Sequence, residues 1–264
     1  MSFFEHLEEL RQRLRVVVAF LLVFFVLFIA FDIRPVDVGG VPVPVPFPAL
    51  LGNNTADRVV QYLKDYYKPP DVKLATFHPW DAVIVEVKVS FFLAVILTSP
   101  VMAYQFGKFI GPALKPSERR IVVRVAVPVL ILFLSGVLLA HLVVLPFTFV
   151  YLYSVAARLG VDFPLLFIDD FISFVTVFLV AFGAAFEMPV VMYALSAIGL
   201  VDASFWRRHW RFAVIAIFVF GAIVTPDGSG VTMILVSLPM LVLYVGGYVA
   251  VWSRERRTRR AKSS

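Results

Sequence analysis

The sequence contains no cysteine, few charged residues and none of the common catalytic motifs. Of its 264 residues, 16% are charged and four are histidine. The lack of cysteine excludes disulfides, thiolate nucleophiles and cysteine-ligated metal clusters. The patterns HExxH, GxSxG, GxGxxG and the P-loop are also missing, and the histidines share no ligand spacing. We therefore expect no enzymatic activity, no bound metal and no cofactor.

Hydrophobic residues are abundant instead. They make up 61% of the chain, and the mean hydropathy is +0.90, which is typical of an integral membrane protein. We expect one all-α membrane domain over residues 1–264, with a short fifth span and a sixth that is short as well. Apolar runs predict six transmembrane helices, at residues 16–31, 87–106, 121–148, 171–196, 212–225 and 231–252.

The basic residues are divided unequally between the two sides of these predicted spans. Seventeen of the 24 lysines and arginines fall on the side that carries both termini. The positive-inside rule therefore places both termini in the cytoplasm. This distribution also explains the net charge of +6 without a nucleic-acid partner. Residues 1–15 form a predicted amphipathic helix on that side, and residues 253–264 form a basic tail.

The largest predicted soluble segment is the outer loop of residues 32–80. Its "VPVPVPFP" stretch has proline at every second position, which forbids a helix and favours an extended, polyproline-like path. The following "TADRVVQYLKDYYKPP" predicts a short helix that ends before Pro69. We expect this helix to lie on the spans through an apolar face of Val59, Val60, Leu63 and Tyr67.

Two glutamates lie at the cytoplasmic boundary of the predicted spans. Glu9 precedes Arg13 by four residues, so an exposed ion pair explains it as simply as a functional role does. Glu118 falls in the first turn of the third span's helix, where the helix dipole by itself favours an acid. Both acids nevertheless stand among many cationic neighbours at a membrane boundary.

A third carboxylate, Glu187, interrupts an apolar run. An ionisable group in the hydrocarbon costs roughly 2.5–3.5 kcal/mol or more, so a functional role is the default interpretation and a buried structural hydrogen bond is the alternative. Pro189 follows it and removes one helical hydrogen bond. We therefore expect the fourth span to bend or break at this point.

Five segments in order resemble the TatC family, the receptor core of the twin-arginine protein translocase. They are "HLEELRQRL", "SPVMAYQFGKFIGPALKPSERR", "LVVLPF", "AFGAAFEMPVV" and "VTPD". The resemblance implies a curved, glove-like bundle in the plasma membrane that exports folded proteins with the proton-motive force. It also implies a hetero-oligomer with single-span TatA/TatB-type partners and twin-arginine signal peptides. By the same resemblance, Glu187 meets a polar group of such a partner, and the signal-binding residues are Glu9, Glu118, Arg11, Gln105, Phe109 and Arg119.

The chemistry of the acids is suited to that role. Two arginines present two planar, permanently charged forks, and carboxylates pair with them through charge-assisted bonds that lysine does not reproduce. Glu9 and Glu118 are expected to lie close together and to be left unpaired within their own chain, so that a visiting pair of guanidinium groups completes them.

The chain departs from the family pattern at several positions. Gly107 stands where the family has tryptophan, and His141 where it commonly has tyrosine. No glutamine follows the "VTPD" turn, so no polar partner site is expected at the start of the sixth span. The main alternative function is a proton- or ion-coupled secondary transporter that uses Glu187 as its ion site. A membrane-embedded enzyme ranks below it.

Overall fold

The computed structural model describes residues 3–38, 41–49, 52–68, 72–110, 119–160, 165–197, 199–225 and 229–263. Within them, four short strands accompany a set of helices: β1 (Phe31–Val38), β2 (Val41–Pro48), β3 (Lys73–Ala75) and β4 (Leu165–Phe167). The helices are α1 (Phe3–Ala30), α2 (Thr55–Tyr67), α3 (Asp81–Ile110), α4 (Arg119–Leu139), α5 (Leu145–Arg158), α6 (Ile168–Phe186), α7 (Met188–Ala197), α8 (Ala203–Arg208), α9 (Trp210–Val224) and α10 (Gly230–Ser263).

Five stretches of the described residues are long and apolar enough to cross a membrane: Leu7–Ala30, Asp81–Gln105, Pro128–Arg158, Ile168–Ala197 and Gly230–Thr258. A shorter apolar helix, α9, is the fifth span in chain order. It has only 15 residues and spans about 22 Å, compared with about 30 Å of hydrocarbon. The prediction of a short fifth span is confirmed. The prediction of a short sixth span is wrong, because α10 continues through the basic tail as one helix of 34 residues.

Successive spans lead from one end of the molecule to the other. We call the two ends the loop face and the terminal face. The loop face carries β1, β2, α2, β3 and β4. The terminal face carries the start of α1, the end of α3, the start of α4, the short helix α8 and the end of α10. The predicted N-terminal amphipathic helix and the first span form one uninterrupted helix, α1.

Helix α6 lies at the centre of the core, with Phe178 and Phe182 fully buried. It packs against α4 through two reciprocal glycine contacts. A Cβ at Gly136 of α4 would lie 2.7 Å from the Phe182 carbonyl oxygen, and one at Gly183 of α6 would lie 2.7 Å from the Phe133 ring. Because neither position has room for a side chain, the two helices approach closely just before Glu187.

The third span is longer than the predicted 121–148, since α4 and α5 join through a π-helical turn at Ala140–Val144 and helix continues to Arg158. Pro146 lies in the first turn of α5 and has no N–H to donate to the preceding turn. A π-helical turn is a usual way to absorb such an interruption within a long helix.

The proline-rich segment pairs as strand β2 with β1 in an antiparallel hairpin. It is extended, as predicted, but its pairing with a second strand was not predicted. In an antiparallel pair, alternate residues direct their N–H groups away from the partner strand. Ile33 does so, because its N–H donates to Thr55 Oγ1 over 3.0 Å, and its partner in the register is Pro46.

All four prolines of β2 lie at positions whose backbone nitrogen faces away from β1, so none of them removes a hydrogen bond between the two strands. Pro42, Pro44, Pro46 and Pro48 pair with Asp37, Pro35, Ile33 and Phe31. The free edge of β2 therefore offers carbonyl groups but no N–H donors at these positions, which protects an exposed edge strand from pairing with another chain.

The predicted loop helix is confirmed as α2, with Val60, Leu63 and Tyr67 buried and Val59 partly buried. Asn54 caps its N-terminus, where its side-chain oxygen accepts from the Asp57 N–H over 2.8 Å. The helix ends at Tyr67, and Pro69 lies outside the described residues. Helix α2 packs on α3 and α5, as its apolar face predicts.

Candidate functional site

Glu9 lies in the first half of α1 and is already paired within its own chain. The Arg13 Nε lies 3.1 Å from Glu9 Oε1, and the Arg13 Nη2 contacts the same oxygen. Both side chains are largely withdrawn from solvent, with 16% of Glu9 and 20% of Arg13 exposed. The expectation that Glu9 is unpaired in its own chain is therefore wrong. The pair follows from the four-residue spacing, which places both side chains on one face of a helix.

Gln105 lies at the same height as Glu9 on the neighbouring helix α3. The Asn54 Nδ2 donates to the Ile29 carbonyl over 3.0 Å and to Glu86 Oε2 over 2.9 Å. Ile29 of α1 and Glu86 of α3 therefore lie at a similar height along the bundle. Glu9 lies 20 residues before Ile29, and Gln105 lies 19 residues after Glu86. At 1.5 Å per residue, both are about 30 Å below that level. The packing of α1 on α3 therefore brings the two residues to the same end of the bundle.

The other predicted signal-binding residues are described to different extents. Arg11 is exposed, and its Nη1 lies 3.7 Å from Glu8 Oε2, also exposed. Phe109 is in the last turn of α3 and Arg119 begins α4, but their side chains lie outside the described part. Glu118 lies outside the described residues altogether, so its expected closeness to Glu9 stays a prediction.

Glu187 is the one residue between α6 and α7, so the predicted break is confirmed. Its N–H donates to the Ala184 carbonyl over 3.1 Å, and its own carbonyl accepts from the Val191 N–H over 3.0 Å. Pro189 has no N–H with which to continue the ladder. The chain therefore remains nearly helical through the break, and Glu187 itself keeps a right-handed helical backbone conformation.

The carboxylate of Glu187 is buried and has no hydrogen-bond partner in the part of the chain that the structure describes. Neither of its oxygens is accessible or hydrogen-bonded to any residue that the structure describes. Phe186 packs on Gly136 of α4, and Pro189 lies 3.1 Å from where a Cβ of Gly247 of α10 would be. Two close helix crossings thus flank a polar group whose burial without a hydrogen bond is costly.

His141 is held by three tyrosines of α2. The Tyr62 hydroxyl lies 2.9 Å from His141 Nε2, and the Tyr67 hydroxyl lies 2.5 Å from Nδ1 and donates to the His141 carbonyl over 3.1 Å. The Tyr66 ring stacks on the imidazole at 4.7 Å. Burial, with the neighbouring Tyr66 and Tyr62, raises the pKa of the Tyr67 hydroxyl above its usual range, so Tyr67 acts as a neutral hydrogen-bonding group.

A second set of polar contacts on the loop face was missed by the sequence analysis. Asp32 is 1% exposed and pairs with Arg34 and with Arg58, whose Nε lies 3.1 Å from Oδ1. Asn54 joins α2 to both α1 and α3 through the contacts with Ile29 and Glu86. An asparagine just before a helical pattern is a recognisable cap signal, but its distant partners have no signal in the sequence.

Among the described residues, no group of three or more histidine, aspartate or glutamate side chains is placed to hold a metal ion. What these residues do offer is a guanidinium-bound carboxylate at one end of the bundle and an unpartnered carboxylate at a helix break. Carboxylates in such surroundings can pair with polar or cationic groups of another chain. Fold and site together define a multi-pass membrane protein.

Comparison with known proteins identifies the family. The family model for TatC, the Sec-independent protein translocase protein, matches residues 5–239. The chain is 38% identical to the TatC protein of Cenarchaeum symbiosum over all of this chain and 98% of the relative, and 34% identical to that of Aquifex aeolicus over 74% and 83%. It superposes on a crystal structure of the twin-arginine translocase receptor TatC in DDM with a TM-score of 0.75 and 30% identity, covering 93% of this chain and 99% of that one. The chain belongs to the TatC family.

Membership decides between the functions left open by the sequence. The relatives are protein translocase components, so the chain is a core component of a protein translocase, and the comparisons give the secondary-transporter alternative no support. The resemblance drawn from the five motifs is confirmed.

Proposed function

We propose that this protein is the signal receptor of a twin-arginine translocase, with both termini in the cytoplasm of a plasma membrane. In this role it binds the paired arginines of a signal peptide at Glu9 and Glu118 and exports folded proteins with the proton-motive force. The observation that carries the proposal is the half-buried Glu9, which already holds a guanidinium group at the height of Gln105. The likeness to a protein described as the twin-arginine translocase receptor supports it.

Arg13 occupies the place that a signal arginine takes. When the signal binds, its guanidinium exchanges with that of Arg13, so the carboxylate passes from one charged partner to another. An exchange of this kind avoids leaving a half-buried acid without a partner, which is the costly state. Arg11, Gln105, Phe109 and Arg119 border the same site in the proposal. The planar fork of arginine distinguishes the signal from a lysine pair.

The test is co-purification of a folded cargo whose signal carries Arg-Arg or Lys-Lys. Glu9→Gln and Glu118→Gln should each weaken retention of the Arg-Arg cargo, and the wild type should retain the Lys-Lys cargo poorly. Glu8→Gln is the matched control, since it removes an exposed carboxylate one residue away. Retention should also fall as salt is raised, because ion pairs near the surface are screened. Equal retention of the Arg-Arg cargo by all three variants would contradict the proposed receptor site.

Arg13→Gln separates exchange from simple positioning. If signal arginines compete with Arg13, this substitution should tighten binding by up to about fivefold, the equivalent of about 1 kcal/mol for a partly exposed pair. If it weakens binding, Arg13 holds Glu9 in place and the exchange step is wrong.

Glu187 is proposed to bind a polar group on a single-span TatA/TatB-type partner. Both carboxylate oxygens are buried without a partner among the described residues, and a polar side chain from another helix would satisfy them. Glu187→Gln should reduce partner assembly and transport while signal retention stays unchanged. Asp170→Asn, which alters an exposed acid of the same helix, should change neither. Equal loss of signal retention and assembly in Glu187→Gln would indicate misfolding instead.

A further inference from the structure

The outward side of α10 forms a continuous apolar stripe that ends in an aromatic residue and then a basic one. Exposed residues recur every three or four positions along it: Leu238, Val242, Val245, Val249 and Trp252. Arg256 follows at the same spacing and is also exposed. Such a stripe on a membrane-spanning helix faces lipid chains, and tryptophan marks the level of the headgroups. Arg256 therefore lies where the phosphates of the bilayer are.

Arg256 is held in a defined position rather than extending freely into solvent. Its guanidinium carbon lies 3.8 Å from the centroid of the Trp252 ring, a close cation–π contact. A guanidinium group on a ring face keeps its N–H donors at its edge, where they remain available to an anion. By contrast, Arg254 is committed inside the chain, since it donates to the carbonyls of Ser196 and Ala197 over 3.0 and 3.2 Å.

Helix α8 is fixed against the same end of α10. The Ala203 N–H donates to Glu255 Oε1 over 2.7 Å, and the Tyr244 hydroxyl donates to the Trp206 carbonyl over 2.7 Å. These two contacts align α8 antiparallel to residues 244–255 of α10. Arg207 follows Trp206, so it lies nearer the level of Tyr244 than that of Arg256, and the headgroup-level charge comes from α10 itself.

The acids of this region are already used, which leaves the arginines available. Asp202 caps α8 by accepting from the Phe205 N–H over 2.8 Å, and Glu255 accepts from the Ala203 N–H. Within the described residues, the structure gives Arg207, Arg256 and Arg257 no carboxylate at ion-pair distance. An excess of exposed, unneutralised arginine at the end of a lipid-facing stripe calls for an anion from the membrane side.

We propose that the terminal-face end of α10 binds the headgroup of an anionic phospholipid. The phosphate accepts from the edge of Arg256 on Trp252, Arg257 adds positive charge, and the acyl chains lie along the stripe from Val249 to Leu238. Two observations select a lipid over a soluble anion: continuity with the lipid-facing side of a membrane span, and charge complementarity at the headgroup level. The proposal does not depend on the twin-arginine function, since it uses residues outside that site.

The experiment is native mass spectrometry of the full chain in detergent with equal amounts of phosphatidylglycerol and phosphatidylcholine. The wild type should retain phosphatidylglycerol preferentially. Each basic residue near an anionic surface contributes about fivefold in affinity, so Arg256→Gln with Arg257→Gln should reduce the preference by an order of magnitude or more. Arg256→Lys keeps the charge but loses the planar fork, so its preference for phosphatidylglycerol should lie between those of the wild type and the double variant.

The matched control is Arg158→Gln with Lys73→Gln, which removes two exposed charges on the loop face and should keep the wild-type preference. Circular dichroism checks that all variants remain folded. An unchanged preference in the Arg256 and Arg257 double variant would overturn the proposal. Displacement of phosphatidylglycerol by an equal concentration of inorganic phosphate would instead indicate a general anion site. Displacement by an acidic peptide at that concentration would indicate a protein-binding surface, and either result also overturns the proposal.

Discussion

The bonded carboxylates of the loop face differ from Glu187, which lies toward the terminal face, in whether a neighbour within the described residues satisfies them. On the loop face, Asp32 has two arginine partners and Glu86 accepts from Asn54. Asp169 accepts from Lys88 over 2.6 Å. Toward the terminal face, Glu9 holds one arginine, while Glu187 is buried with no partner among the described residues. The difference indicates that loop-face acids stabilise the fold, whereas Glu187 imposes a cost that binding can remove.

Helix α1 shows the same division along a single element. Only 6% of its most apolar window is buried within the chain, compared with 39% for the windows of α3 and of α6 with α7. Its loop-face end is nevertheless fixed, because Asn54 and Thr55 bond the Ile29 and Phe31 carbonyls. We infer that the loop face anchors α1 and thereby positions Glu9 at the opposite end.

The largest effect is expected from removing both partners of Asp32. Arg34→Met with Arg58→Met leaves a buried carboxylate uncompensated, and we expect a loss of about 3 kcal/mol in the free energy of unfolding. Denaturant unfolding in detergent measures it. Arg158→Met is the control, because it removes an exposed cation of the same face, and it should change stability little. A loss no greater than that of the control would mean that Asp32 does not need its partners.

A smaller loss should follow Asn54→Ala. This change removes the cap of α2 and the shared donor to Ile29 and Glu86, so we expect about 2 kcal/mol. Gln61→Ala is matched to it, as an exposed amide of the same helix whose side chain donates to Asp57. The same unfolding measurement applies. Equal effects of the two substitutions would show that the bridge between α1 and α3 contributes nothing.

A weaker, pH-dependent effect is expected at Asp202 on the terminal face. The hydrogen bond from the Phe205 backbone, with the Ser204 hydroxyl, lowers the pKa of Asp202 below its usual value. A group whose pKa is lowered by folding stabilises above its unfolded pKa, about 3.9, and loses that contribution as the pH falls below it. The stability difference between the wild type and Asp202→Asn should therefore be present at pH 7 and decline below about pH 4. A difference that does not change with pH would contradict this.

No loss of stability at all is expected for Glu187→Gln. The substitution keeps the shape of the side chain and removes a charge that has no described partner, so the unfolding midpoint should stay equal or rise. This result, combined with reduced partner assembly, would separate the two classes of carboxylate most clearly. A loss of more than about 1 kcal/mol would show that Glu187 is satisfied within its own chain, as loop-face acids are.

Much of the site was predictable because its signals are local. Glu9 and Arg13 are one helical turn apart, and the break at Glu187 follows from Pro189 two residues later. The loop helix could be predicted from its apolar spacing. The hairpin could not be predicted, because alternating prolines are compatible both with an unpaired extended segment and with an edge strand. Which of the two forms depends on the pairing register with β1.

The partners of the polar groups were not predictable in the same way. Asn54 reaches Glu86 across 32 positions, Tyr62 reaches His141 across 79, and Lys88 reaches Asp169 across 81. Each of these side chains has several possible acceptors in the sequence. Only the packing of the helices brings one of them within hydrogen-bonding distance.

The sequence by itself determined the membrane class, the number and order of the spans, and the position of the helix break. These depend on hydrophobicity and on backbone hydrogen bonds, which act between residues close together in the chain. The tertiary structure decided which polar groups are satisfied, and that Glu187 finds no hydrogen-bond partner among the residues described. That outcome depends on which helices lie next to one another, because a buried polar group is satisfied only by the neighbour that packing supplies.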